Sequence, residues 1–232
     1  MRFGVVIFPG SNCEQDVIHA ARHLGFEADF VWHGDTDLSG FDAIVLPGGF
    51  SYGDYIRCGA VAQFSPVMNA VGRFAERGGP VIGICNGFQI LTEAHLLPGA
   101  LLRNTGLKFI CREVSLRVED SVCQWIDMPA GTVVRIPINH NEGNFVCDEA
   151  TRARLEAGGQ IVLRYCEPDG TRDEDGSAPN GALDDIAGIC NERGNVFGLM
   201  PHPERVVDAV TGGVDGQRFF TTIVARLAEV AG

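Results

Sequence analysis

The run Pro80-Val81-Ile82-Gly83-Ile84-Cys85-Asn86-Gly87-Phe88-Gln89 constrains this chain more than any other segment. An apolar β-type stretch enters a Gly-x-Cys-x-Gly turn, and helical spacing of apolar residues follows at once. Glycines two before and two after the cysteine let the chain reverse sharply, so the thiol stands proud of a sheet edge. The opening N–H groups of the next helix then point at the sulfur, and their partial positive charge favours thiolate over thiol. A cysteine so placed is a candidate nucleophile; a small core residue is the plainer reading for any other cysteine here.

The surrounding hundred residues repeat the strand-then-helix rhythm. Phe3 to Phe8, Glu27 to His33, Asp42 to Leu46 and Val81 to Cys85 read as strands. Val17, Ala20, Ala21 and Leu24 recur at helical spacing with Gly25 as the stop, and Ser11 with Glu14 has the pattern of a capping box. Val67, Ala70, Val71 and Phe74 mark a second helix, closed by Gly78-Gly79-Pro80. A third runs from about Gly87 to His95. Such alternation predicts a parallel sheet flanked by helices, with ligands gathering beyond the carboxyl ends of the strands. Pro9 to Asn12, Pro47 to Gly53 and Cys85 to Gly87 all fall at such ends, so they are expected to meet in one crevice.

From Leu107 the texture becomes β-rich. Strands are expected over Leu107 to Val118, Thr132 to Ile138, Ile161 to Tyr165, Ile186 to Cys190 and Val196 to Met200, with a hairpin turn at Asn191 to Asn195. Asp215 to Val230 reads as a closing helix. Glu167 to Asp185, acidic and rich in Gly and Pro, reads as an exposed loop. The fold class is thus α/β: an open, mostly parallel twisted sheet flanked by helices, with an additional β-rich C-terminal half.

Lys and Arg number 18 against 30 Asp and Glu, a net charge of −12, which argues against a broad nucleic-acid or anionic-membrane surface. The opening strand is too short for a signal or membrane segment, so a cytoplasmic protein is expected. The 8 cysteines are scattered without a CxxC pair, pointing to reduced thiols and to no metal site.

A thiol nucleophile needs a base, and the base an orienting partner. Met200-Pro201-His202-Pro203-Glu204 supplies both. Prolines bias the preceding residues to extended backbone, whose period of two sends His202 and Glu204 to the same side. One imidazole nitrogen is then held by the carboxylate and the other is left for Cys85. His19, His23, His33 and His95 lie in helix or strand patterns and read as structural. Pro47-Gly48-Gly49-Phe50-Ser51-Tyr52-Gly53-Asp54 is the third piece: an N–H near Gly49, with the Asn86 amide, is placed to stabilise an oxyanion. Neither this loop nor Gly10-Ser11-Asn12 matches a nucleotide-binding fingerprint. The residues alone reach a thiol-based acyl transfer.

Gly83-Ile84-Cys85-Asn86-Gly87-Phe88-Gln89 with His202-Pro203-Glu204 resembles the class I (triad-type) glutamine amidotransferases of flavodoxin-like fold. Within that family the resemblance is strongest to the glutaminase subunits of phosphoribosylformylglycinamidine synthases. It is carried also by Gly10-Ser11-Asn12-Cys13, Gly48 to Tyr55, Leu107 to Arg112, Glu142-Gly143-Asn144-Phe145 and Met200 to Arg205. It implies one amidotransferase domain over 1–232. Cys85 would attack the glutamine side-chain amide, His202 would shuttle the proton and Glu204 would orient it. Gly49 and Asn86 amides would form the oxyanion hole, and Gln89 would help hold glutamine.

The resemblance further implies no cofactor in this chain. ATP and Mg²⁺ are expected on a separate large synthetase subunit of purine biosynthesis, accompanied by a small accessory subunit. Pro137-Ile138-Asn139-His140-Asn141-Glu142 departs from the family's more usual Ala-His-Gly-Glu, leaving His140 as a candidate lining residue. Two rivals stay open at this point: another α/β thiol hydrolase, and a non-catalytic docking module with the same fold.

Overall fold

The computed structural model describes residues 1–210 and 212–231. The expected domain span 1–232 therefore includes Thr211 and Gly232, which lie outside the described residues. Strands are β1 (Arg2–Ile7), β2 (Glu27–Trp32), β3 (Ala43–Leu46), β4 (Val81–Ile84), β5 (Ala100–Leu102), β6 (Ile110–Val118), β7 (Val133–His140), β8 (Asn144–Val146), β9 (Ile161–Cys166), β10 (Ile186–Cys190) and β11 (Val196–Leu199). Helices are α1 (Glu14–His23), α2 (Pro66–Glu76), α3 (Asn86–Glu93), α4 (Glu149–Ala157) and α5 (Gln217–Ala231).

A nine-stranded sheet in the order β2-β1-β3-β4-β11-β10-β9-β6-β7 forms the body, and β5 pairs with β8 apart from it. From β2 to β11 every neighbouring pair is parallel. Every pair from β11 to β7 is antiparallel. The β-rich second half thus continues the first sheet. All residues of β3, β4 and β11 are buried, as continuous apolar runs covered on both faces should be. Pro137 sits inside β7, which tolerates it because β7 is an edge strand with one unpaired side.

Two features of this frame position the site. The carboxyl ends of β1, β3, β4 and β11 share one edge because these strands are parallel. Register then sets Leu46 beside Gly83 and Ile84 beside Leu199, so the segments after β3, β4 and β11 emerge side by side.

Three expectations are corrected. Ser11 does not cap α1: its hydroxyl accepts from the Phe8 amide at 3.0 Å, and Cys13 holds the N-cap position without a side-chain cap. Pairing with the loop after β3 fixes Ser11 there instead, through its bridge to Gly49. The stretch 167–185 is not simply an exposed loop. Asn180, Ala182 and Asp185 are buried, and Arg172 and Arg164 hold Asp184 and Asp185 by ion pairs. Finally α4, β5 and β8 are present where no element was expected.

Candidate active site

At the end of β4 the backbone of Cys85 adopts φ 51°, ψ −105°, a conformation that costs a non-glycine residue on the order of 1–3 kcal/mol. Its surroundings leave no alternative. A Cβ on Gly83 would stand 2.6 Å from the Gly87 carbonyl, and one on Gly87 would stand 1.9 Å from the Leu46 oxygen. The Cys85 amide donates to the Leu199 carbonyl at 2.8 Å, while the Cys85 carbonyl accepts from Phe88 and Gln89 in the first turn of α3. The elbow is thereby tied to β11 on one side and opens α3 on the other. The amides at the start of α3, Asn86 among them, have no acceptor within the helix and face the turn.

β11 delivers His202 three residues beyond Leu199. The His202 amide donates to the Pro137 carbonyl at 2.9 Å, and the side chain is almost wholly buried beside Glu204. Nδ1 lies 2.6 Å from Glu204 Oε1. Nε2 is buried without a hydrogen-bond partner in the protein, and the Cys85 and Cys13 sulfurs are near enough to favour the charged ring. Burial pulls the imidazole pKa down, but the Glu204 carboxylate and the Cys85 sulfur outweigh it. The group therefore titrates well above 6.5. Such a ring holds a proton beside a sulfur, the arrangement needed when a nucleophile's leaving group must be protonated.

The three turn segments expected to meet do meet. Asn12 and Cys13 amides donate to the Gly48 carbonyl, Phe50 donates to Gly10 and Tyr52 to Pro9. The Ser51 amide donates to Asn86 Oδ1 at 3.1 Å, which joins the loop after β3 to α3. Asn86 Nδ2 in turn donates to Gln89 Oε1 at 2.8 Å, and Gln89 Nε2 to the Glu142 carbonyl at 2.6 Å. Asn86 and Gln89 are both buried. Gly49 takes φ 153°, where a Cβ would meet Ser11 Cα at 2.7 Å, so only glycine fits.

Gly49, Cys85 and Gln89 line one cavity of about 270 Å³. It is somewhat smaller than the roughly 300–1,000 Å³ that drug-sized ligands need, and of a size for one small metabolite. His202 and Glu204 are not among its lining residues. Cys85 Sγ lies 3.7 Å from the Asn139 carbonyl. A larger cleft, about 440 Å³, lies between His95–Pro98, α4 and the β10–β11 turn. It holds neither a thiol nor any of these residues, and chemistry favours the smaller one.

His140 lines the cavity too. Burial and the neighbouring His202 hold its pKa down to about 3, so it is neutral. Its Nε2 meets Asn180 Nδ2 at 3.1 Å, and the same amide donates to the Gly143 carbonyl and the Tyr165 hydroxyl. Sequence reasoning assigned no part to Asn180, Asp54, Cys58, Arg103 or Cys13. Asp54, Cys58 and Arg103 stand on the cavity wall. Cys13 accepts from Arg205 Nη2 at 3.2 Å. Asp54 alone had a local signal, as the residue closing the glycine loop after β3.

The comparisons agree with this geometry. Residues 1–218 match the family model described as a CobB/CobQ-like glutamine amidotransferase domain. The chain is 57% identical over 232 residues to the phosphoribosylformylglycinamidine synthase subunit PurQ of Gloeobacter violaceus, covering 99% of this chain and 100% of that one. Against the subunit of the same name from Moorella thermoacetica it is 54% identical over 226 residues, covering 97% and 95%. A solved structure of PurLQS from Thermotoga maritima superposes with a TM-score of 0.86 at 44% identity, covering 97% of this chain and 98% of that one. A glutamine amidotransferase from the same organism shares the fold at a TM-score of 0.56 and 15% identity, covering 100% and 85%. A strained thiol elbow beside a buried His–Glu pair, on a fold and sequence matched end to end, leads to one conclusion: the chain belongs to the CobB/CobQ-like glutamine amidotransferase family.

Proposed function

We propose that this chain is the glutaminase subunit of a phosphoribosylformylglycinamidine synthase, hydrolysing glutamine and handing ammonia to a separate ATP-dependent synthetase subunit. The observation that carries the reading is identity of 54–57% to subunits of that name across nearly their whole length. The cavity beside the Cys85 elbow supports it.

In this reading the Cys85 thiolate attacks the side-chain amide carbon of glutamine. The carbonyl π electrons move onto oxygen, which the Gly49 and Asn86 amides stabilise. His202 gives its proton to the amide nitrogen, the C–N bond breaks, and ammonia leaves a γ-glutamyl thioester. Water, deprotonated by His202, then attacks the thioester, and the C–S bond breaks to release glutamate and the thiolate. Glu204 holds the ring in one tautomer and stabilises its charged form. Gln89 and His140 shape the pocket.

Ammonia freed into water near neutral pH is mostly ammonium, which is no nucleophile, so the product is useful only when passed on directly. ATP, Mg²⁺ and formylglycinamide ribotide belong on the partner synthetase, assisted by a small accessory subunit, and the complex works in the cytoplasm. Among the described residues no helix is long and apolar enough to cross a membrane, which suits that placement.

The test couples this chain to purified synthetase and compares wild type with Cys85→Ala. Glutamine-dependent synthesis is lost in the variant while ammonia-dependent synthesis persists. Loss of both with the assembly intact, or full glutamine use by the variant, contradicts the reading.

A further inference from the structure

Among the described residues, two groups bring three His, Cys, Asp or Glu donor atoms within 4.8 Å of one another. One is Cys13, His202 and Glu204, which contains the catalytic pair. The other is His19, His23 and Asp208, and the glutaminase reading gives it no part.

His19 and His23 stand one turn apart on α1 and so share a face of the helix. No other two of the 6 histidines have this spacing. The sequence pattern reads both as structural, yet both are exposed. Val17, Ile18, Ala20 and Ala21 carry the buried side of α1, so neither imidazole is needed for packing. The two rings lie nearly parallel, with centroids 5.9 Å apart.

Asp208 arrives from a different part of the chain, just beyond the turn Pro203–Arg205 that carries Glu204. Its backbone is fixed there: the Asp208 carbonyl accepts from the Gly213 amide at 3.2 Å. Its Oδ1 accepts from the Val210 amide at 2.9 Å. Oδ2 faces His23 Nδ1 at 3.9 Å, which is too long for a hydrogen bond. Two ligand atoms on one tetrahedral zinc stand roughly 3.3–3.6 Å apart, given bonds of about 2.0–2.2 Å. A small side-chain rotation closes that difference.

We propose that His19, His23 and Asp208 form a site for a divalent cation of the zinc class, with water as the fourth ligand. Two imidazole nitrogens and one carboxylate oxygen suit zinc and its late first-row neighbours; magnesium and calcium prefer all-oxygen sets. The carboxylate offsets part of the cation's charge. Bound there, the metal clasps α1 to the segment that follows His202 and Glu204. Arg205 Nε already joins the same two pieces through Asp16 Oδ2 at 3.2 Å, so the metal adds a second tie beside an existing one. The site goes beyond the glutaminase reading and stands whether or not the chain hydrolyses glutamine.

The test uses the full chain, stripped of metal by dialysis against a chelator, with zinc chloride as the probe. At about a hundred times its Kd, zinc raises the thermal midpoint of wild type by roughly 5–10 °C. His19→Ala and His23→Ala each lose the shift and one equivalent of bound zinc, while their metal-free midpoints stay close to wild type, as exposed positions allow. Asp208→Asn keeps an acceptor for Val210 but loses the charged ligand, and binds zinc more weakly. Cobalt(II) in place of zinc shows only weak visible bands, because no sulfur is bound. Zinc uptake and a midpoint shift that persist in both histidine variants overturn the site. Intense sulfur-to-cobalt charge-transfer bands from the bound equivalent place the metal on a cysteine and overturn it too. Should a variant fail to fold, wild type decides alone: no zinc-induced shift, or a cobalt spectrum of the sulfur type, contradicts the proposal.

Discussion

Gly87 and Leu46 are packed so closely that the first carbon of any side chain at 87 would lie 1.9 Å from the Leu46 carbonyl oxygen. The contact joins α3 to the end of β3 and fixes the height at which the Cys85 elbow leaves the sheet. Gly87→Ala must therefore push α3 outward. Overpacking of this kind costs about 1–3 kcal/mol or more. The expected outcome is a lower denaturation midpoint together with a slower alkylation of Cys85. Wild-type stability and labelling in this variant contradict the packing account.

Glu204 holds His202 in its charged form. With Glu204→Gln the 2.6 Å partner of Nδ1 loses its charge, while burial still disfavours the imidazolium. His202 then charges only at lower pH. The limb of the pH profile of glutamine hydrolysis that reports His202 should move downward, and the rate should fall by about 10²–10⁴-fold. An unmoved profile would show that the carboxylate does not set the state of the pair.

His140 makes a separate, opposite demand on pH. Its pKa is about 3 in the folded chain and about 6.5 when unfolded. Between these values the unfolded state binds one proton more, so stability falls as pH falls. The contribution is about 1.4 kcal/mol per pH unit over that window. Urea unfolding from pH 6.5 to 4 should show this slope in wild type, and His140→Gln should lose about one proton's worth of it. Identical slopes for the two proteins would contradict a neutral, buried His140.

Asn180 ties the stretch 167–185 to the site. Its Nδ2 serves His140, Gly143 and Tyr165, and its Oδ1 accepts from the Ala182 amide at 3.1 Å. Asn180→Ala strands several buried groups at once, each costing about 1–3 kcal/mol when unmade. A loss of several kcal/mol in chemical denaturation is expected, with KM for glutamine rising in whatever folds. A neutral substitution would mean the network is not structural.

The stretch illustrates what local sequence conveys and what it does not. β3, β4 and β11 were legible because continuous apolar runs bounded by glycine and proline leave few alternatives. Gly83 and Gly87 were legible because a turn of that shape needs them. Asn180 was hidden, since an asparagine among Asp, Gly and Pro reads as solvated; only the arrival of β7 and β9 beside it gives it partners. The α4 segment buries Leu155 alone among its residues, so it lacks the periodic apolar face that announces a helix. The capping-box pattern at Ser11 misled because pairing with Gly49 outcompeted it. Cys58 was hidden as Asn180 was. The chain leading to it winds through left-handed backbone at Tyr52, Asp54 and Ile56, which no side-chain pattern there foretells.

The most direct measurement is the position of the covalent bond. The chain, assembled with its synthetase, is quenched rapidly after mixing with labelled glutamine, and its cysteine-containing peptides are separated. The account predicts label on the Cys85 peptide alone, discharged by hydroxylamine and absent from Cys85→Ala. Label on Cys13 or Cys58, or rapid glutamate release with no thioester at Cys85 under any quench time, would contradict it.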